Sequence, residues 1–398
     1  MHPQTSSFTT GPANWSAVFS LSLGVTSLVA AEFIPISLLT PMARDLGITE
    51  GMAGQTVTAV GVFAVLTSLL LAPLTRGLDR RPILLTFSGL LVVSSVLVAL
   101  APNFWVLLAG RGLLGICVGG FWSMAAAVTL QLVPTKDVPR ALSFISAGVS
   151  LATIISLPIA SYLGHLVGWR NVFHLEALLG AAGLAWQYKA LPPLAAREGS
   201  SFGNMLALMK KGWVCAGILG TIFSFGGYHV FFTYLRPYLQ HDIGLHPGTL
   251  SLVLGAFGVA NCLGTLCAAP ILNCRFRVSM VALPLVLAVV AAAMYATNGH
   301  VGASVVLAVL WGLIYGIIPV GWSTWITRTL ADKTELAGGL SVASVQFAIG
   351  TAAAIGGMVF DSCGIDGIFL TAAALLVIAA LAVAISFLGY AKESGRPA

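Results

Sequence analysis

The sequence predicts an all-α membrane protein whose twelve transmembrane helices form two parallel six-helix repeats. Three observations support this prediction: the composition, the number of long apolar segments, and a correspondence between the two halves of the chain. Of the 398 residues, 58% are hydrophobic and only 8% are charged, whereas a water-soluble domain has about 25% charged residues. Too few charges are present to solvate a protein surface of this size, so we expect that surface to face hydrocarbon.

Twelve segments are long and apolar enough to cross a bilayer, which requires about 20 residues per helix. Most are joined by short turns, and the longest connection contains a Pro pair, a Gly/Ser stretch and a Lys pair. We therefore expect an N-terminal six-helix bundle at 1–190, a cytoplasmic central loop at 191–212 and a C-terminal six-helix bundle at 213–398. The predicted spans are 15–40, 54–74, 83–101, 104–131, 142–165, 170–190, 213–236, 249–271, 278–297, 301–330, 336–360 and 366–390.

The two halves correspond at an offset of about 200 residues. The fourth span contains Arg111-Gly-Leu-Leu and then Trp122-Ser123, and the tenth contains Trp311-Gly-Leu-Ile and then Trp322-Ser323. Both spans cross the membrane in the same direction, so the repeat is parallel. Parallel repeats are typical of transporters whose binding site lies between the halves, near the middle of the bilayer.

The positions of Lys and Arg predict the orientation of the helices. With the N-terminus in the cytoplasm, 15 of the 19 basic residues fall at cytoplasmic helix ends. Of the other four, Arg44, Arg170 and Arg236 fall at outer ends, and Arg111 lies within a span. We therefore expect both termini and the central loop to be cytoplasmic.

Ionisable side chains inside a bilayer are costly and are candidates for function by default. Glu32 lies on the first span, Arg111 on the fourth, Glu176 on the sixth and His229 on the seventh. At 1.5 Å per residue each lies roughly 10–12 Å from the outer end of its span, in one layer. We predict that Glu32 carries a proton, that Arg111 biases this acid, and that Glu176 is the second candidate carrier. Histidine side chains ordinarily change charge near neutrality, so His174 and His229 are further candidates, but both equally suit the role of neutral hydrogen-bond partners.

Aromatic and amide side chains within the spans are candidates for substrate binding. The deeper rings suit stacking on a planar ligand, and the polar groups suit hydrogen bonds to hydroxyl groups or base edges. Core packing and contacts between helices are the alternative roles for the same residue types. The candidates are Phe121, Trp122, His229, Asn261, Trp322 and Gln346.

Other classes of protein find little support in the sequence. The six cysteines form no CxxC pair and no metal-ligand spacing, so we expect neither a metal nor a cofactor. HExxH and GxxxxGK[ST] patterns are absent from the sequence, which argues against an enzyme. The basic residues are dispersed among short loops, so a nucleic-acid partner is not expected. A nutrient sensor with a transporter-like fold usually carries a large soluble domain, and the sequence predicts none. We expect the protein to be a monomer in a lipid bilayer.

Four segments resemble the drug:proton antiporter branch of the major facilitator superfamily. Asp79, Arg80 and Arg81 in GLDRRP resemble the Asp- and Arg-rich loop between spans two and three, in shortened form. Arg111, together with Gly115 and Gly119, resembles the span-four motif whose arginine is linked to proton transfer. The segment 147–164 resembles the span-five antiporter motif, although Leu157 precedes Pro158 where the family usually has Gly. The segment 32–48 resembles the acid-and-proline motif of span one.

A narrower resemblance is to bacterial exporters of purine ribonucleosides within this branch. It covers nearly the whole chain and is carried by the segment 32–48 together with NWSAVFS, GWRNVF, FFTYLRP and VGWSTWITRTLAD at 14–20, 168–173, 231–237 and 320–332. The resemblance implies export of inosine and guanosine in exchange for protons across a bacterial cytoplasmic (inner) membrane. A proton-coupled sugar or multidrug exporter of the same fold is the alternative, because no motif reveals the cargo.

Overall fold

The protein is a bundle of long helices, seen in a computed structural model that describes residues 13–75, 77–134, 137–194, 209–330 and 334–394. The last helical stretch, Thr334–Ser394, contains a break at Gly364, whose φ of 65° and ψ of −160° are not helical. It therefore comprises two helices, α11 (334–363) and α12 (365–394). The others are α1 Trp15–Leu46, α2 Glu50–Leu74, α3 Arg80–Ala99, α4 Phe104–Leu132, α5 Val138–Val167, α6 Trp169–Ala190, α7 Gly212–Thr233, α8 Pro247–Cys274, α9 Phe276–Ala296 and α10 Val301–Thr329.

These twelve helices correspond to the twelve predicted spans. Within the described residues, ten helices are long and apolar enough to cross a membrane, and one of these contains both α11 and α12. The remaining helix, α6, falls outside that set and carries the charged residues Arg170, Glu176 and Lys189. Several helices are longer than their predicted spans, and α1 continues to Leu46 rather than ending at 40. Most of the predicted central loop lies outside the described residues, so the domain boundaries stay a prediction.

Each half has an apolar core, and the core of the second half extends onto residues of α1, α2 and α5 where the halves meet. Corresponding helices of the two halves pack in corresponding ways. In the first half α4 packs on α2, and in the second half α10 packs on α8. Glycines permit both close approaches: a Cβ on Gly115 would lie 2.8 Å from Cβ of Phe63, and one on Gly312 would lie 2.8 Å from the Phe257 carbonyl oxygen. This correspondence is what a parallel repeat requires.

The two halves meet along two pairs of helices, α2 with α11 and α5 with α8. At the first interface a Cβ on Gly61 would lie 2.6 Å from Cα of Gly350, so the two backbones are nearly in contact. At the second interface Pro158 lies against Gly255 of α8, 3.6 Å from the position that a Cβ would take. The span-five motif therefore lies at the boundary between the halves.

The two ends of the bundle differ in the turns that they carry. The twelve helices run alternately up and down, so the chain begins and ends at the same end. We call the opposite end, which carries the α1–α2, α3–α4, α5–α6, α7–α8, α9–α10 and α11–α12 turns, the distal end. Between α7 and α8 at this end, the chain forms a short helical turn, Leu235–Pro237, and a π-helical turn, Tyr238–Asp242.

Candidate functional site between the two halves

Arg111 occupies a position that a proline of α1 creates for it. Pro35 lies inside α1 and has no amide hydrogen, so the carbonyl of Ala31 one turn earlier lacks its helical partner. The Arg111 side chain, only 1% exposed, donates from Nη1 to this oxygen at 2.7 Å. It also donates to the backbone oxygens of Glu32 and Thr56, both at 3.4 Å. The guanidinium is thus fixed between α1, α2 and α4 by carbonyl groups.

The second buried charged group of this half is Glu176 on α6. Its side chain is 4% exposed, and Oε1 accepts a hydrogen bond of 2.8 Å from the hydroxyl of Ser27 on α1. Among the described residues, the other oxygen, Oε2, is buried without a hydrogen-bond partner, and the hydroxyl of Ser95 on α3 lies near the carboxyl group. Glu32 and Glu176 both lie within electrostatic range of Arg111. Among the described residues, however, no carboxylate oxygen comes within 4.0 Å of the guanidinium nitrogens.

Glu32 is the member of this group that faces the opposite half. Its carboxylate lies against the side-chain amide of Gln346 on α11 and within electrostatic range of Tyr315 on α10. In its ionised form the Glu32 carboxylate only accepts hydrogen bonds, so a hydrogen bond between these two side chains comes from the amide nitrogen of Gln346. The amide oxygen of Gln346 is buried, and no residue in the described part of the chain forms a hydrogen bond with it. The structure therefore brings Glu32, Arg111, Glu176 and Gln346 together, from both halves.

An aromatic cluster on α7 and α10 adjoins this group. The ring of His229 lies 5.7 Å from that of Tyr315 and 5.8 Å from that of Phe232, which in turn meets Phe33 of α1 at 5.6 Å. His229 Nδ1 lies 2.9 Å from the carbonyl oxygen of Phe225. A carbonyl only accepts, so Nδ1 carries the hydrogen, and a neutral ring presents Nε2 as an acceptor.

The other residues predicted to bind substrate make packing contacts in this structure. Phe121 is 5% exposed in the core of the first half and meets Trp122 edge to face at 6.0 Å. Trp322 is 4% exposed and packs against Trp325 at 5.6 Å in the second half. Asn261 on α8 donates to the carbonyl of Gly312 on α10 at 3.3 Å, which joins two helices of one half. Their roles in binding stay a prediction.

The GLDRRP motif at 77–82 joins the α2–α3 turn to the end of α6 and the residues that follow it. Asp79 Oδ1 accepts from the amide of Arg81 at 2.7 Å and from the amide of Leu194 at 3.0 Å. Arg81 donates to the carbonyl of Tyr188 at 2.8 Å, and Arg80 donates to the hydroxyl of Thr75. These bonds fix the packing within the first half, and they lie at the end of the bundle that carries the termini.

Arg236 forms a contact between the halves that the sequence did not predict. It was expected at an outer helix end, but its side chain is only 6% exposed. Arg236 donates to the carbonyl of Ser37 on α1 and, at 3.2 Å, to the hydroxyl of Ser161 on α5. The Ser37 carbonyl lacks a helical partner because Pro41 follows it by four residues. The six-residue spacing of Pro35 and Pro41 was therefore a signal for two carbonyls that need outside donors.

The described residues hold no group of three or more His, Cys, Asp or Glu side chains that could bind a metal ion. His174, on α6, is half-buried, and among the described residues no hydrogen bond or ring contact joins it to Glu32 or Glu176.

Comparison with known proteins agrees with the fold and the sequence resemblance. The chain is 41% identical to the purine ribonucleoside efflux pump NepI of Salmonella paratyphi B (strain ATCC BAA-1250 / SPB7) over 371 residues, 93% of this chain and 94% of the relative. It is 42% identical to NepI of Shigella sonnei (strain Ss046) over 370 residues, 93% of each chain.

Solved structures share the fold at low sequence identity. A bacterial homolog of the human lysosomal transporter Spinster, inward-facing and unoccupied, matches with a TM-score of 0.76 and 15% identity, covering 98% of this chain and 100% of that one. A mutant of the nucleoside transporter NupG matches with a TM-score of 0.73 and 14% identity, covering 93% and 100%. The family model of the Major Facilitator Superfamily matches residues 19–235 and 217–398. The chain is a multi-pass membrane transporter that belongs to the major facilitator superfamily.

Proposed function

We propose that this chain is a proton-coupled antiporter that exports purine ribonucleosides such as inosine and guanosine from the cytoplasm by alternating access. The similarity to efflux pumps of that name over 93% of the chain supports the cargo. The position of Glu32 between the halves supports the coupling. In this proposal the protein is a monomer of the bacterial cytoplasmic (inner) membrane, with cytoplasmic termini and the distal end outside.

Glu32 is the proposed proton carrier because its neighbours belong to both halves of the protein. Arg111 belongs to the same half and is held by carbonyl groups, so its charge stays beside the acid throughout the cycle. Gln346 and Tyr315 belong to the other half. When the halves rock, the acid exchanges amide and phenol neighbours for water while the arginine remains. Glu176, in the field of the same arginine, is the second acid of this network.

The cargo is proposed to bind against the aromatic cluster beside Glu32. Tyr315 and Phe232 offer flat apolar faces on which a purine ring stacks. His229 Nε2 and the unpartnered oxygen of Gln346 offer acceptors for N–H and O–H groups of a nucleoside. Aromatic faces with a few acceptors suit a planar, neutral ligand that carries several donors.

The energetics allow such an exchange to concentrate nucleosides outside. A neutral nucleoside exchanged for one proton moves one net charge across the membrane. Each charge contributes about 2.3 kcal/mol per 100 mV of membrane potential, which sustains a concentration ratio of roughly fifty.

The test is transport of labelled inosine in proteoliposomes, measured in two modes. Counterflow reports binding and rocking without net proton movement, whereas uptake driven by an imposed pH gradient requires proton coupling. We expect the unmodified protein to carry inosine in both modes, with competition by guanosine and none by arabinose. Movement of sugar or drug without inosine would overturn the proposed cargo.

The variant Glu32→Gln separates cargo from coupling. We expect it to retain counterflow and to lose gradient-driven uptake, because an amide cannot release a proton. The matched control is Glu393→Gln at the opposite end of the bundle, where the carboxylate contacts Lys211 and Trp213 outside the site. Wild-type gradient-driven uptake by Glu32→Gln would rule out this acid as the carrier.

A further inference from the structure

One carboxylate of the second half caps a helix of the first half at the distal end. Asp361, near the end of α11, accepts from the hydroxyl of Thr49 at 2.7 Å through Oδ2. Its other oxygen, Oδ1, accepts from the backbone amide of Gly51 at 3.1 Å. The first amides of a helix have no partner within the helix, and the helix dipole favours a negative charge there.

The helix surfaces around this cap are shaped for contact. Gly51, in the first turn of α2, has no side chain, and a Cβ there would collide with the Asp361 carboxylate. Tyr234, fully buried, fills the next gap between the helices and donates to the carbonyl of Ala353 on α11 at 3.2 Å. A Cβ on Gly356 would lie 2.9 Å from this tyrosine ring. The cap therefore lies at the end of a closely fitted interface between α2 and α11.

We propose that Asp361 is a positioning residue for transport, which holds the distal end closed by capping α2 from the opposite half. Its two hydrogen bonds exist only while α2 and α11 are together. Arg236 contributes a second contact between the halves nearby, with the Ser37 carbonyl and the Ser161 hydroxyl, and His241 lies 3.1 Å from Glu50. Breaking the Asp361 cap shifts the resting protein toward the state that is open at the distal end.

This proposal rests on alternating access but not on the identity of the cargo or on proton coupling. Its test therefore uses no substrate. Ala53 on α2 is completely buried in the closed distal end. In a background with the six cysteines replaced, Ala53→Cys provides a thiol whose labelling by a bulky hydrophilic maleimide requires opening. The reaction is followed on the full-length protein in nanodiscs.

We expect Asp361→Ala to accelerate labelling about tenfold, the change in equilibrium that loss of a helix cap produces. Asp361→Asn keeps the shape and one acceptor for the Gly51 amide, so it should give an intermediate rate. The matched control is Asp366→Asn in the same turn region, because Asp366 accepts from Asn298 at 3.1 Å within its own half. This control should label at the parent rate.

The outcomes distinguish the loss of the α2 cap from a general effect of removing a charge and from unfolding of the variant. Parent-rate labelling in Asp361→Ala would overturn the proposal, and so would equal acceleration by Asp366→Asn. Monodisperse elution of each variant shows that the fold is intact, and the Asp361→Asn variant keeps the test valid if the alanine variant does not fold. If nucleoside transport fails while labelling behaves as expected, the proposed cargo falls and the role of Asp361 stands.

Discussion

Substitutions of Arg111 and Pro35 should have coupled effects on the free energy of unfolding. Pro35 leaves a carbonyl without a helical partner, and Arg111 supplies the donor that this carbonyl lacks. Pro35 removes the amide that would bond the Ala31 carbonyl, and Arg111 Nη1 occupies that oxygen at 2.7 Å. The variant Arg111→Met leaves the buried carbonyl without a donor. An unsatisfied buried polar group costs about 1 to 3 kcal/mol, and measured hydrogen bonds in membrane proteins favour the lower part of that range.

The variant Pro35→Ala restores an amide to the same turn. In the unmodified protein this amide adds little, because the carbonyl is already satisfied. In the Arg111→Met background it provides the missing donor. We therefore expect Pro35→Ala to raise the free energy of unfolding by about 1 to 2 kcal/mol more in the Arg111→Met background than in the unmodified protein.

The assay is a double-mutant cycle of unfolding in mixed detergent micelles, followed by tryptophan fluorescence. The matched control is Pro41→Ala in the same two backgrounds. The carbonyl that Pro41 leaves open belongs to Ser37 and is occupied by Arg236, not by Arg111. No coupling between Pro41 and Arg111 is expected. If Pro35→Ala has the same effect in both backgrounds, the explanation of the Arg111 position is refuted.

Two further predictions concern packing and the second acid. A Cβ on Gly119 would lie 2.9 Å from Cα of Ala64 and closer still to its carbonyl oxygen, so Gly119→Ala should force α4 from α2 and cost about 1–3 kcal/mol. Gly89→Ala, in a helix with open space around it, is the control; equal thermal stability of the two variants would contradict this packing. Glu176→Gln should slow gradient-driven inosine uptake without abolishing it and leave counterflow unchanged, because this acid faces Ser27 of its own half. Loss as complete as in Glu32→Gln would contradict this secondary role and make Glu176 as essential to coupling as Glu32.

The architecture and the charged centre were predictable from sequence because a bilayer requires long apolar helices and makes charged residues within them rare. Charged residues are rare in such a chain, so Glu32, Arg111 and Glu176 stand out, and a simple estimate of depth placed them in one layer. The structure brings these three residues together. His229 lies on the other half and is connected to them through Tyr315 and the aromatic rings around it.

The faces of the helices were not predictable in the same way. A helix that is apolar on all sides carries no periodicity that distinguishes its lipid face from its packed face. The sequence therefore could not tell that Phe121 and Trp322 belong to the cores of the two halves. Asp361 was also missed, because a carboxylate in a turn has no distinguishing pattern until the opposite half brings a helix end beside it.

The segment 31–41 of α1, which contains both of its prolines, connects these observations. Ala31, before Pro35, is bound by Arg111 of its own half, whereas Ser37, before Pro41, is bound by Arg236 of the other half. Glu32 lies within this segment and faces Gln346 of the second half. Separation of the halves at the distal end must break the Ser37 contact and remove Gln346, yet it leaves the Ala31 contact in place. The neighbours of Glu32 are thus divided between one group that moves and one that stays, which is the arrangement that a proton-coupled rocking motion requires.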